Sequence, residues 1–116
     1  MNRYDTNIIG TCTGFFGTRK GETSLFIEGN KLSPYGIQRG DRFDKLIVDK
    51  KVYLIFSDTG KSKVSGRGEN PVIDLNGKFL TNVIGRVQTE TVKYICSFIL
   101  KNGSNKLNAM QIEKVA

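Results

Sequence analysis

Short runs of β-branched and aromatic residues, broken by turn residues, set the rhythm of this chain. Leu46-Ile47-Val48, Val52-Tyr53-Leu54-Ile55-Phe56 and Tyr94-Ile95-Cys96-Ser97-Phe98-Ile99-Leu100 are the richest such runs, and residues of this kind pack well on a pleated surface. Asp49-Lys50-Lys51, Asp58-Thr59-Gly60 and Asn102-Gly103 punctuate them. Asn-Gly tolerates the positive φ angles of a tight hairpin, so 93–101 is expected to fold back onto 106–115. A first hairpin is expected from 43–49 with 51–57. No apolar repeat of helical period extends beyond a turn or two, and the candidates for short helices are Gly29–Tyr35 and Gly77–Val83. Strands this short, in a chain with 13 glycines, point to a small all-β barrel or sandwich.

Sliding the chain against itself by 48 positions brings Arg19 onto Arg67, Gly29 onto Gly77 and Leu32 onto Leu80. Leu25 and Ile27 then meet Ile73 and Leu75, and Ser33 meets Thr81. Each copy reads as a basic glycine loop, an alternating strand, a Gly-x-x-Leu helical turn and a hairpin. The chain is therefore read as one domain, 1–116, built of tandem half-repeats at approximately 8–57 and 61–115. A length of 116 residues leaves no room for a second independent core.

Charge narrows the partner. Eighteen Lys+Arg against eleven Asp+Glu give +7, an excess that attracts a polyanion at long range. The absence of histidine excludes His-based triads, His-ligated metal and His acid–base chemistry. Two cysteines, Cys12 and Cys96, are too few for a metal cluster or a disulfide framework, and both read as inert packing thiols. No cofactor or metal is expected. Met1-Asn2-Arg3-Tyr4-Asp5-Thr6 has no apolar leader core, and no apolar run is long enough to span a membrane. Asn102-Gly103-Ser104 fits a glycosylation sequon but reads as a turn. The expected setting is cytoplasmic, with reduced thiols.

One stretch carries a family resemblance. Thr13-Gly14-Phe15-Phe16, Leu25-Phe26-Ile27, Leu32, Gly36-Ile37-Gln38-Arg39-Gly40-Asp41-Arg42-Phe43 and Ile47-Val48-Asp49-Lys50-Lys51-Val52-Tyr53-Leu54-Ile55 follow one another as strand, helical turn, Gly-Ile…Gly-Asp loop and hairpin with a charged tip. Over 13–56 the chain resembles the AbrB-like swapped-hairpin family, which includes AbrB and SpoVT regulators, MazE-type antitoxins and the SymE toxin. The second copy departs from the pattern, with Ile84-Gly85 displaced by one and Gln88-Thr89 in place of Gly40-Asp41. The resemblance implies a small swapped-hairpin or double-psi-like β-barrel with one or two helical turns. In that family two chains interleave, so two copies in one chain imply an internal pseudo-dimer. A true homodimer through 13–56 is the alternative.

It also implies a DNA-binding regulator without catalysis, its basic loop meeting the duplex. By position this loop is Gly17-Thr18-Arg19-Lys20-Gly21, with Arg19 and Lys20 as contacts. Its counterpart is Gly66-Arg67-Gly68, preceded by Lys61 and Lys63, and 61–68 holds three cations and no acid. Glycines let backbone approach phosphates closely, and arginine offers a fork for phosphate or guanine. The plain reading of the same loops is a pair of solvated hairpin turns.

Three rivals stay open. A SymE-like protein would bind or cut RNA, or bind a single strand. A basic inhibitor or antitoxin module would take an acidic protein. Asp58-Thr59-Gly60, with Asn82-Val83-Ile84-Gly85-Arg86, is the remote trace of a dimeric retropepsin-like aspartic protease using Asp58. Too few residues separate the two motifs for the flap such enzymes carry. Phe15, Phe16, Phe26, Phe43, Phe56 and Phe98 are expected in the core, Tyr4 and Tyr35 outside it. Lys93, Lys101, Lys106 and Lys114 read as strand-edge charges as readily as ligand contacts.

Overall fold

Ten strands and three short helical segments follow one another in a computed structural model that describes residues 7–88, 90–100 and 107–115. They are β1 (Ile8–Phe15), β2 (Gly17–Arg19), β3 (Glu22–Glu28), 3-10 turns at Gly29–Lys31 and Ser33–Tyr35, β4 (Arg42–Val48), β5 (Lys51–Phe56), β6 (Ser62–Lys63), β7 (Ser65–Arg67), β8 (Asn70–Asn76), α1 (Lys78–Ile84), β9 (Lys93–Ile99) and β10 (Ala109–Lys114). Both expected helical turns form, and Gly36 ends the second 3-10 turn in the left-handed region at φ 77°. Both expected hairpins form. Asp49 and Lys50, at φ 51° and 63°, close β4–β5 with the two positive angles of a twist-matched two-residue turn. The Asn102-Gly103 turn, with Lys101 and Lys106, lies outside the described residues, as does Tyr4.

The strands form two antiparallel sheets, a large one in the order β1-β9-β10-β5-β4-β6 and a small one in the order β2-β3-β8-β7. Among the described residues, the closed barrel expected from the family resemblance is not found. The chain leaves the large sheet at Phe16 and at Val64 and enters the small one through β2 and β7. At both corners it bends between sheets instead of carrying a ladder across. Phe16 and Val64 are themselves buried, 0% and 2% exposed, so each corner is pinned by its own side chain.

Period-two alternation fills the space between the sheets. Leu25, Ile27, Ile73 and Leu75 point inward from the small sheet. Val52, Leu54, Tyr94, Cys96, Phe98, Met110 and Ile112 meet them from the large one, and Leu32 and Leu80 of the helical segments close the same cluster. The same parity turns Phe26 and Phe15 outward, 53% and 48% exposed. Neither is the core residue that composition alone implies. Tyr35 differs in the other direction: its ring stacks on Phe98 at 3.8 Å between centroids.

The strand order of the large sheet is symmetric about its central β10–β5 pair. Outward from the β10–β5 pair run β9 then β1 on one side, and β4 then β6 on the other. Gly14 lies opposite Tyr94 in β1–β9 and Ser62 lies opposite Phe43 in β6–β4, so the two edge ladders differ in register by three positions under the 48-position shift. Residues matched by the 48-position shift, Phe26 and Asp74, sit directly opposite each other in β3–β8. Among the described residues no helix is long and apolar enough to cross a membrane.

Because one core joins both halves, Leu54→Ala and Ile112→Ala are each expected to cost about 3 kcal/mol, within a single cooperative urea transition. Phe26→Ser on the outer face should stay within about 0.5 kcal/mol.

Candidate nucleic-acid interface

Arg19 and Arg67 are the last residues of β2 and β7, the two edge strands of the small sheet. Directly opposite residues share a face in an antiparallel ladder. Arg19 pairs with Glu22, and Arg67 with Asn70, both on the parity of Phe26 and Asp74. The two guanidinium groups therefore project from one outward face, but from diagonally opposite corners, with β3 and β8 between them.

Each corner is built by a tight turn. Lys20 and Gly21 carry φ of 53° and 79° in the first, and Gly68 carries 56° in the second. Gly66 is held at φ 145° against the Asn70 carbonyl, and a Cβ there would strike that carbonyl. No other residue suits the approach to Arg67.

The structure adds two arginines that the sequence motifs did not single out as contacts. Arg86, in the loop after α1, donates to the Gly21 carbonyl and lies 3.7 Å from Glu22. Arg39, in the corresponding loop of the first half, donates to the Gly68 carbonyl at 3.4 Å. Each turn thus receives a guanidinium from the other half of the chain. The signal was present in Gly36–Gly40 and in Asn82–Arg86, but only the tertiary fold shows where these loops reach.

The face is mixed in charge. Arg19 donates to Asp74 at 3.0 Å. The residue opposite Asp74 in the ladder is Phe26; Glu28 and Asp74 line the cleft beside Arg67, but among the described residues Arg67 makes no ion pair. Glu22 and Glu28 share the face. Open clefts lie beside each corner, about 430 Å³ along Arg19, Lys20, Glu22 and Asn76, and about 550 Å³ along Arg67, Ser65, Phe26, Glu28 and Asp74. Lys61 and Lys63 belong elsewhere. Lys63 lies opposite Arg42 at the β6–β4 edge of the large sheet, and the Lys61 amide donates to Asp44 at 3.0 Å. The five basic residues do not form one continuous surface.

A polar clamp holds the first corner. The Thr23 amide donates to Thr81 Oγ1 at 2.9 Å, Thr23 Oγ1 donates to the Gly85 carbonyl at 2.5 Å, and Thr81 Oγ1 donates to Glu22 at 2.5 Å. This fixes α1 against β3 and so aims Arg86. Asp58 lines a 290 Å³ cleft with Asp41, Arg42, Tyr35 and Phe56. Among the described residues no group of three metal-ligating side chains forms.

Away from the face, Cys12 and Cys96 lie directly opposite each other in β1–β9. A hydrogen bond from the Cys96 thiol, aided by the Lys31 charge, holds the Cys12 thiol below its ordinary pKa against the upward pull of burial. The same hydrogen bond, burial and the Cys12 charge push Cys96 far upward.

Thr23→Val leaves the Gly85 carbonyl without its hydroxyl donor and is expected to cost about 2 kcal/mol in denaturant unfolding. Compared with known protein families, curated proteins and solved structures, the chain matches none of them.

Proposed function

We propose that the protein is a non-enzymatic DNA-binding protein of the AbrB-like regulator kind, an internal pseudo-dimer of swapped-hairpin halves that holds duplex DNA through its two basic turns. The observation that carries this reading is the matched placement of Arg19 with Arg86 and of Arg67 with Arg39 at opposite corners of one face. Two equivalent cationic corners suit two equivalent stretches of a duplex backbone. Phosphate neutralisation and counterion release then supply most of the affinity. Lys20 adds charge at the first corner, while Lys61 and Lys63, on the large-sheet edge, lie apart from this face.

Asp74 makes the corners unequal. A carboxylate already neutralises Arg19, so that corner binds phosphate only by drawing Arg19 away from its partner. Arg67 makes no such ion pair, although Glu28 and Asp74 line its cleft.

Duplex binding measured over a salt series should show a falling log K with log salt. Arg67→Ala should reduce the slope by about 1, and Arg19→Ala should do less. Asp74→Asn should tighten binding several-fold and steepen the slope. A flat salt dependence, or an unchanged affinity in both Arg67→Ala and Asp74→Asn, overturns the reading.

The exposure of Phe26 between the two corners favours one second reading, a single strand whose base stacks on that ring at about 1–3 kcal/mol. Phe26→Ala should then weaken single-strand binding about tenfold or more and leave duplex binding unchanged.

A further inference from the structure

We propose that Cys12 and Cys96 are a built-in modification site, a cross-strand thiol pair that exchanges with low-molecular-weight disulfides to close a reversible Cys12–Cys96 disulfide between β1 and β9.

The register supplies the geometry. Cys12 faces Cys96 across the β1–β9 ladder, both on the inward parity of that pair. The Phe16 amide donates to the Val92 carbonyl at 2.8 Å, one step beyond the Phe15–Lys93 pair. The even positions of β1 are therefore the pairs that exchange backbone hydrogen bonds. Such pairs hold their Cα atoms about 5.5 Å apart, inside the window of about 4.4–6.8 Å that a disulfide spans. Their Cβ atoms stand somewhat wider than a relaxed disulfide prefers, so the strands must draw together slightly and the bond stays reducible. β1 can give, since it is an edge strand with a register shift between Ile8 and Gly10.

The surroundings supply the reactivity. Cys12 is half-buried and Cys96 fully buried, so one thiol meets solvent and the other waits behind it. Gly10 and Gly14 flank Cys12 on β1, and their missing side chains leave room for the Tyr35 hydroxyl and the Tyr94 ring. The Lys31 ammonium donates to the Thr13 carbonyl at 2.7 Å and to the Tyr94 hydroxyl at 3.4 Å. An ammonium beside a partly exposed thiol is the setting in which a cysteine reacts as thiolate. Burial raises the Tyr94 hydroxyl, with the two sulfurs adding to the shift, so Tyr94 stays a neutral neighbour.

The exchange balances without an outside electron acceptor other than the small disulfide itself. The Cys12 thiolate attacks one sulfur of the small disulfide, the S–S bond breaks, and one small thiolate leaves and takes up a proton. Cys96, giving up its proton, attacks the Cys12 sulfur of the mixed disulfide and expels the second small thiol. Two protein thiols are oxidised and one small disulfide is reduced to two thiols.

Oxidised glutathione is the probe, with native protein followed by intact mass and by thiol counting after unfolding. Wild type should pass through a single transient adduct to a monomer lighter by two hydrogens, with both thiols gone and restored by dithiothreitol. Cys96→Val and, as a second variant, Cys96→Ala should stop at a stable adduct on Cys12. Cys12→Ser should not react while folded. Lys31→Met should slow adduct formation several-fold, and Lys31→Arg should restore it. A persistent adduct on wild type with Cys96 still free, disulfide-linked dimers as the main product, or equal reaction of Cys12→Ser each overturns the proposal. None of these readouts depends on nucleic acid, so the result stands apart from the DNA-binding reading.

Discussion

Contact between the inward faces of the two sheets is the constraint on which everything else rests. The inward faces of the two sheets share one cluster with Leu32 and Leu80 of the helical segments. Leu25, Ile27, Ile73 and Leu75 must meet Val52, Leu54, Met110 and Ile112. Period two then assigns every remaining position on those strands to the outside. The exposure of Phe26, the shared face of Arg19 and Arg67, and the inward meeting of Cys12 with Cys96 are all consequences of that assignment. A slip of one residue in β3 or β8 would exchange core and surface together.

The corners at Phe16 and Val64 turn this contact into a closed chain path. Each passes from an edge of the large sheet to an edge of the small one while its side chain stays buried. The edge strands of the small sheet are three residues long and end in arginine. Charge at an edge discourages pairing with another chain, and here the same charge stands beside a tight turn. One residue type thus serves both protection of the edge and the proposed grip on phosphate.

Much of this architecture could be read along the chain, and the limits have a physical origin. Both hairpins and all the helical turns have local causes, namely turn residues, β-branched runs and Gly-x-x-Leu. The fate of the phenylalanines does not, because whether position 26 faces in or out is decided by Leu25 and Ile27 seeking the core. Arg19 and Arg67 were visible as the basic ends of glycine loops. The Asp74 contact that disables one of them depends on β3–β8 register, and the reach of Arg39 and Arg86 depends on two halves folding against each other. The facing of Cys12 and Cys96 is a register fact as well. Reading each thiol by its immediate neighbours gave two inert residues, and the ladder gives a pair.

The most informative position is the point where the small sheet's two central strands meet. In the duplicated reading proposed above, equivalent residues face each other there across the pseudo-twofold centre. In a homodimer of identical halves that pair would be Phe with Phe or Asp with Asp, and two facing carboxylates would repel. A single chain is free of that restriction. Here the facing pair is Phe26 with Asp74, and Asp74 gives Arg19 its ion-pair partner. On that reading, Thr23, which clamps α1 to β3, is matched by Pro71, and Cys96 has no sulfur counterpart in the first hairpin. On the reading proposed above, a symmetric scaffold with unequal corners would have a direction, and such a face would distinguish the two ends of a duplex it held. Matched strand order would then set the spacing of the two corners, and differing side chains their polarity.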